Sequence, residues 1–277
     1  MALFRYLTFE GGLATLKNGT LKLTPPREFN DPFDMHPSWR VEPSEEMLQQ
    51  FYVNEGYAEQ GISYEEFKIA ALNDPNAYRQ AAQTEVYAGM NKDFGAVCFS
   101  RRKDSIPMWG YYCSDQTGTQ NGMVVEFDET HDGFRQAFGP WLHDVRYVFT
   151  RQAFTNMGGH DFSIFYTKCL QWSHEAEARL IHPLKWDGVT EGHIGDRRGW
   201  FLEYPKASVK TIYFGIQMKS EDKRVIAGGL QQWGFSDVRL MELHPHPDHF
   251  SFEQKAYQPS QDLGASQSTN KNTMTEA

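Results

Sequence analysis

The six residues 95–100, which read GAVCFS, mark the point at which the sequence pattern changes. This short apolar run ends at a polar, basic loop, so it predicts a buried β-strand. Residues 44–92 precede it and have the capping signals of helices. Helices followed by strands predict an α+β fold with a mostly antiparallel sheet core and an N-terminal helical block. The further predicted strands are residues 21–23, 122–127, 145–149, 175–182, 209–215 and 238–241.

Three start signals define the predicted helical block at residues 41–93. Ser44 precedes two glutamates, Ser63 and Glu66 match a capping box, and Asp74 caps a helix that has proline at its first position. The third helix is predicted over residues 76–91. Between Val41 and Lys92 there are nine acidic and three basic residues, so this block carries most of the net charge of -9. It is typical of a solvated helical face.

The organisation predicted for the whole chain is one α+β domain over residues 1–257 and a disordered tail over 258–277. The tail is rich in Ser, Gln, Thr and Asn, and we expect its removal to leave the melting temperature unchanged. Two more helices are predicted, one over residues 161–172 and one that begins at Ser220 and ends near Gly234.

Composition restricts the class of protein. The chain of 277 residues has no apolar run of about 18 residues, which argues against a membrane-spanning helix. Its acidic balance argues against a dedicated nucleic-acid surface. Three cysteines without a CxxC pair predict neither a disulfide framework nor a structural zinc site. We therefore expect a cytoplasmic protein without a bound metal.

The stretch from Trp172 to Arg179 contains the strongest candidate for chemistry. If it is a strand, Glu175, Glu177 and Arg179 point to one face because side chains alternate. Two carboxylates beside one arginine suit acid–base catalysis or the stabilisation of a cation, since the arginine lowers one carboxyl pKa and repulsion raises the other. The alternative is a solvated ladder of opposite charges on an open sheet.

Three other sites are weaker candidates. The loop at residues 29–34, which reads FNDPFD, places an amide and two carboxylates between aromatic residues. It could bind a polar ligand, or it could be a structural turn. Cys98 is expected to be a small core residue rather than a nucleophile. The histidines of residues 244–249 are expected on a surface segment, because two prolines space them poorly for chelation.

Four segments together resemble the domain of unknown function 2971 family of bacteria and phages. The resemblance spans about residues 4–240 and implies no established activity. The segments are Phe4-Arg5-Tyr6, residues 29–34, Cys98-Phe99-Ser100 with residues 108–112, and Trp172 with Glu175, Glu177 and Arg179.

A second resemblance is to mono-ADP-ribosyltransferases of the arginine–serine–glutamate type. Arg5, Ser100 and the Glu175-x-Glu177 pair occur in the order of that family. The resemblance implies NAD as a co-substrate, with Arg5 binding the pyrophosphate. Glu177 would orient the ribose hydroxyl and stabilise the oxocarbenium ion, and Glu175 would position or deprotonate the acceptor. The other residues expected to contact NAD are Tyr6, Asn30, Asp31, Trp109, Tyr112 and Arg179.

Two further functional hypotheses stay open at the level of sequence. A metal-dependent nuclease or phosphodiesterase would use Asp31, Asp34, Glu175 and Glu177 as oxygen ligands for magnesium. A non-catalytic sensing or interaction module, in defence against phages, would use its aromatic loops to recognise a partner. The acceptor substrate, whether a small molecule or a macromolecule, is not defined by the sequence.

Overall fold

The structure is a computed structural model that describes residues 1–36, 38–39, 44–115, 117–151, 153–154 and 162–258. Apart from Gln258, the predicted tail lies outside the described residues. None of the described helices is long and apolar enough to cross a membrane.

Three successive helices come before most of the strands, which is the segregated order of an α+β fold. The helices are α1 (Phe9–Asn18), α2 (Glu45–Asn54), α3 (Tyr64–Asn73), α4 (Pro75–Asp93), α5 (Ile106–Tyr112), α6 (Asp132–Phe138) and α7 (Ser220–Gly229). The strands are β1 (Ala2–Leu7), β2 (Thr20–Leu23), β3 (Ser38–Trp39), β4 (Phe94–Ser100), β5 (Met123–Asp128), β6 (Leu142–Asp144), β7 (Arg146–Val148), β8 (Ala153–Phe154), β9 (Thr167–Cys169), β10 (Glu177–Pro183), β11 (Val189–Ile194), β12 (Arg197–Glu203), β13 (Val209–Phe214), β14 (Arg239–Pro245) and β15 (Phe252–Ala256).

An eight-stranded sheet forms the centre of the molecule, in the order β15-β14-β13-β5-β1-β4-β10-β6. Every neighbouring pair in it is antiparallel except β13 and β14. The predicted α+β class with a mostly antiparallel core is therefore confirmed. A smaller antiparallel sheet, β11-β12-β2, lies beside it, and β11 and β12 form a hairpin that the sequence analysis did not predict.

The two faces of the central sheet are covered by different apolar clusters. Leu3, Val97, Phe127 and many other residues form the main core on one face. On the other face, Phe4 and Tyr6 pack with Trp109 of α5 in a second cluster. This arrangement follows from the alternation of side chains along β1. Glu177 and Arg179, described below, lie on the second face, because Ala178 and Leu180, which alternate with them in β10, belong to the main core.

The helical block has the helix starts that the sequence predicts. The Ser44 side chain accepts from the backbone of Met47, Ser63 and Glu66 form a complete capping box, and Asp74 caps α4. Each cap satisfies backbone N–H groups that have no partner within the helix. Local signals of this kind are read reliably from sequence, because they involve residues only three positions apart.

Two predicted helices differ from the structure. The region predicted as a helix over 161–172 has 3₁₀ turns at Phe162–Tyr166 and Leu170–Glu175 with β9 between them, and residue 161 itself lies outside the described part. Pairing of β9 with β7 overrides the local pattern. Helix α7 ends at Gly229 rather than near Gly234, because glycine is a poor helix former and the Trp233 ring packs directly against Gly229.

Candidate functional site

The register of three neighbouring strands sets the position of the candidate site. Ser100, the last residue of β4, lies opposite Phe4 of β1 on one side and opposite Glu177 of β10 on the other. Phe4 and Ser100 are the one paired position between β1 and β4 in the described chain. Further along β4, Ala96 pairs with Thr24 instead. The two central strands therefore separate, and a cavity opens between them.

This cavity has a volume of about 260 Å³ and is called the charged cavity below. It brings together seven of the residues singled out in the sequence: Arg5, Tyr6, Asn30, Ser100, Tyr112, Glu175 and Glu177. Asp34, Cys98 and Lys168 also line it. Residues separated by more than 170 positions in the chain thus share one small space, slightly below the ~300–1,000 Å³ of ordinary ligand pockets.

The Glu175–Arg179 segment has a different backbone from the predicted strand. Glu175 ends a 3₁₀ turn, Ala176 adopts the left-handed region with φ of 43°, and β10 begins only at Glu177. The prediction of a strand from Glu175 is therefore wrong at its first two residues. Because of the turn at Ala176, the strand alternation of side chains does not apply between Glu175 and Glu177. Both carboxylates nevertheless accept from the ammonium group of Lys168.

Arg179 is fully buried and bridges two carboxylates. Its Nε and one Nη donate to the two oxygens of Glu177 at 2.7 and 2.8 Å, and both Nη groups donate to Asp34 at 3.0 Å. It also donates to the carbonyl of Phe165. The alternative of a solvated ladder on an open sheet is thus wrong, because loops carrying Asp34 and Phe165 cover this end of the sheet. Arg179 was expected to contact NAD, but its donors are used inside the protein.

Lys168 is the charged residue that sequence reasoning missed. Its Nζ lies 2.5 Å from Glu175, 3.3 Å from Glu177 and 3.4 Å from Asp34, and the residue is only 6% exposed. We call Asp34, Lys168, Glu175, Glu177 and Arg179 the buried charge cluster. Its three carboxylates and two cations leave one formal negative charge beside the cavity. A lone lysine in a segment predicted to be helical carries no sequence signal for this role.

In the cluster, burial and the charged partners shift the pKa values in opposite directions, and the charged partners have the larger effect. Burial alone would raise the pKa of Glu177, but the charges of Arg179 and Lys168 outweigh it and lower that pKa to about 2. Burial alone would lower the pKa of Lys168, but the three carboxylates outweigh it and raise that pKa. Both groups therefore stay ionised at neutral pH. A buried charge of this kind is tolerated only because it is paired.

Ser100 and Tyr112 hold Glu175 at the edge of the cavity. The Ser100 hydroxyl donates to the backbone carbonyl of Glu175 at 2.6 Å and accepts from the backbone N–H of Arg102 at 3.0 Å. The Tyr112 hydroxyl donates to Oε1 of Glu175 at 2.6 Å and accepts from the side chain of Asn30 at 3.3 Å. Ser100 is also 0% exposed, so its hydroxyl acts as a positioning group in this structure.

Arg5 and Tyr6 line the cavity from β1. One Nη of Arg5 donates to the carbonyl of Cys98 across the gap between the strands, and its Nε is buried with no acceptor in the described part of the chain. Burial lowers the pKa of Arg5, although a guanidinium remains charged in proteins. The Tyr6 hydroxyl donates to the carbonyl of Arg102. Arg5 follows Phe4 in the strand, so its side chain starts from the opposite face of the sheet to that of Phe4.

Two other predicted contact residues lie outside the charged cavity. Trp109 is 1% exposed and packs edge-on against Tyr6, with its indole N–H donating to the carbonyl of Lys103. It packs against Tyr6, which lines the cavity, and does not line the cavity itself. Asp31 makes a turn, because its Oδ1 accepts from the backbone N–H of Phe33. Asp31 lines a second, larger cavity.

The cysteine and metal hypotheses can be compared with this geometry. Burial raises the pKa of the Cys98 thiol, which disfavours the nucleophilic thiolate and fits the expected structural role. In the part of the chain that the structure describes, no group of three or more His, Cys, Asp or Glu side chains has the arrangement of a metal site. Of the four carboxylates proposed as magnesium ligands, Asp34, Glu175 and Glu177 are instead bridged by Lys168 and Arg179, and Asp31 lies outside this cluster.

Comparison with known proteins gives no family assignment. No model of a known protein family matches the sequence, and neither the curated proteins nor the solved structures contain a significant match. The two resemblances described above therefore stay predictions, and the function has to be argued from the site itself.

Proposed function

We propose that the protein cleaves NAD between nicotinamide and ribose and passes the ADP-ribosyl group to an acceptor or to water. The observation that carries this proposal is the convergence of Arg5, Ser100 and Glu177 on one cavity through the adjacent strands β1, β4 and β10. These residues were selected by their order in the sequence alone. Their meeting in one cavity supports the resemblance to ADP-ribosyltransferases.

The two carboxylates of the site suit a cationic reacting group. Arg5 offsets the one formal negative charge of the buried charge cluster, so the attraction for a cation is local to Glu175 and Glu177, which line the cavity. The nicotinamide ring of NAD is cationic, and cleavage of its bond to ribose develops positive charge on the sugar. Preorganised carboxylates in a buried site stabilise such a charge without reorganising water.

Glu177 and Glu175 are held by different partners in the cluster. Both oxygens of Glu177 are held by Arg179, so its carboxylate is fixed in orientation and suits electrostatic stabilisation of an oxocarbenium ion. Glu175 is held by Lys168 and by the hydroxyl of Tyr112. Of these two partners, Tyr112 can be substituted without removing a charge. Because Arg179 does not hold the Glu175 carboxylate, we assign Glu175 to orienting the acceptor or the attacking water.

The test is the release of nicotinamide from NAD by the purified full-length chain, with and without magnesium. We expect release that does not depend on magnesium. Tyr112→Phe should lower turnover about tenfold, because it frees Glu175 from one of its two side-chain partners. Tyr111→Phe is the matched control, because the neighbouring ring is 65% exposed and does not line the cavity.

Glu177→Gln should lower turnover on the order of a hundred- to thousand-fold if this carboxylate stabilises the transition state, with NAD affinity changed much less. Because Glu177 is buried, the melting temperature of each variant has to be measured, and activity is compared only between folded proteins. Wild-type protein that neither binds NAD nor releases nicotinamide contradicts the proposal. Equal loss in the Tyr111 and Tyr112 variants contradicts the role of Tyr112.

A further inference from the structure

A second cavity, of about 520 Å³, shares Lys168 as a lining residue with the charged cavity. We call it the aromatic cavity, because Phe33, Phe149 and Trp172 are among its walls. Phe33 is 59% exposed and Phe149 is 91% exposed. Large aromatic side chains that stay exposed around one cavity offer flat surfaces on which a planar group can stack.

Asp31 supplies an unsatisfied acceptor in the wall of this cavity. The residue is only 5% exposed, and its Oδ1 accepts from the backbone N–H of Phe33 at 2.9 Å. Its Oδ2 is fully buried and accepts no hydrogen bond from the described part of the chain. A buried carboxylate oxygen without a donor is costly, so a small turn of the Asp31 side chain towards the cavity would let an N–H group of a ligand satisfy it.

Arg151 gives the same cavity a cation. Its guanidinium donates to the carbonyl of His36 through Nε and one Nη, and it lies 5.6 Å from the centre of the Phe33 ring. Asp31 and Arg151 carry opposite charges, so this cavity favours a ligand that combines a hydrogen-bond donor with an anionic group. A ligand that carries an anionic group would meet attraction, and arginine is well suited to phosphate.

We propose that the aromatic cavity binds a nucleoside monophosphate unit whose base carries an exocyclic amine. The base stacks on the aromatic wall, its amine donates to Oδ2 of Asp31, and its phosphate pairs with Arg151. Each of the three features matches one part of such a ligand, and the volume lies within the usual range for a small-molecule site. The proposal does not depend on NAD cleavage. The unit could be a free nucleotide, part of a dinucleotide or part of a nucleic-acid strand.

The first test uses pairs of nucleotides that differ at the amine, titrated calorimetrically into the full-length protein. CMP and UMP differ at position 4, and AMP and IMP differ at position 6. We expect the amino member of at least one pair to bind about tenfold more tightly or better, because a carboxylate accepts from the amine and repels a carbonyl. No binding of any of the four, or equal binding within both pairs, overturns the proposal.

Substitution of Asp31 sharpens this test. Asp31→Asn keeps an oxygen for the Phe33 backbone and presents an NH₂ group in place of Oδ2, so the preference should reverse towards the carbonyl-bearing nucleotide. A preference that stays unchanged in the folded variant overturns the role of Asp31. Cytidine or adenosine should bind at least fivefold more weakly than its monophosphate, and equal binding overturns the phosphate subsite.

A second variant keeps the proposal testable if the Asp31 variant does not fold. Phe149→Ala removes a ring that packs against little of the protein, and it should weaken nucleotide binding about tenfold. Phe250→Ala is the matched control, because that ring is equally exposed and lies outside the cavity. Equal affinities of the two variants overturn the stacking role of Phe149.

Competition identifies the source of the nucleotide unit. Displacement of the bound monophosphate by NAD points to a dinucleotide, and displacement by a short single-stranded oligonucleotide points to nucleic acid. Displacement by neither points to the free nucleotide. Nucleotide binding is measured without NAD turnover, so its failure leaves the nicotinamide assay unaffected, and the reverse also holds.

Discussion

Acidic residues have opposite physical roles in the helical block and in the buried charge cluster. In the block, Glu45, Glu46, Glu65 and Glu66 are exposed at the starts of helices, where they face water and favour the helix dipole. In the cluster, Glu175 and Glu177 are 2% and 5% exposed and contact Lys168 and Arg179. The residue type is the same, and the solvent around it differs.

This difference in solvent exposure determines how much each charge contributes to the stability of the fold. An exposed ion pair is screened by water and adds little to stability, whereas a buried pair is balanced only while both partners are present. Removing one buried partner leaves an uncompensated charge in a medium that cannot solvate it. The helical block should therefore tolerate single substitutions, and the cluster should not.

The largest expected effect follows the removal of the central arginine. Arg179→Met leaves Glu177 and Asp34 without their main partner, and we expect a loss of about 3–5 kcal/mol in the free energy of unfolding, measured by urea titration. Arg198→Met is the matched control, because the pair of Arg198 with Glu191 is exposed; its loss should stay under about 1 kcal/mol. Equal losses in the two variants would remove the distinction between the regions.

The pH dependence of stability is the second test. The pKa of Glu177 is about 2 in the folded protein, below its usual value of 4.5, so the carboxylate stabilises the fold above pH 4.5 and that contribution is lost as the pH falls towards 2. The difference between the two pKa values corresponds to about 3 kcal/mol. Urea titrations of the wild type and of Glu177→Gln at pH 7, 5 and 3 should therefore show a gap that narrows with acid. A gap independent of pH contradicts the pairing.

A smaller effect is expected in the helical block. Ser63→Ala removes the capping box of α3 and should cost about 1 kcal/mol, because one backbone N–H at the helix start loses its acceptor. Ser236→Ala, at an exposed serine outside the helices, is the control and should change the free energy of unfolding by no more than the experimental error. Urea titration measures both. A loss as large as that of Arg179→Met would mean that the block is as sensitive as the cluster.

The smallest effect should come from an exposed ion pair. Glu45 and Lys68 lie 2.6 Å apart, with side chains 51% and 30% exposed. Water and salt screen such a pair, so Glu45→Gln should leave the melting temperature unchanged at 0.15 M salt. A clear drop that disappears at 1 M salt would show that this region also depends on its charges.

Much of the fold could be predicted from the sequence because the signals were local. The caps at Ser44, Ser63 and Asp74 act within three residues, and the apolar runs of β4, β5 and β13 are long enough to identify buried strands. The hairpin of β11 and β12 was missed. Strand β11 is mostly exposed and has few apolar residues, and β12 starts with two arginines before its short apolar run of Trp200, Phe201 and Leu202.

The candidate site was predictable in its carboxylates and in Arg5, but not in its electrostatics. The spacing of Glu175, Glu177 and Arg179 indicated a charged site, and order along the chain singled out Arg5 and Ser100. Neither pattern predicts that the donors of Arg179 bond to Glu177 and Asp34, since Asp34 lies 145 positions away. The left-handed turn at Ala176 also could not be predicted from the alternation of side chains.

The sequence by itself determined the helical block, the strands with apolar runs and the residue types available for chemistry, because these depend on near neighbours along the chain. The tertiary structure decided which charges are buried, which pairs they form and that Lys168 joins them. Burial depends on loops far away in sequence that cover the end of the sheet. Coulombic energy depends on both distance and solvent, and only the folded chain defines the two together.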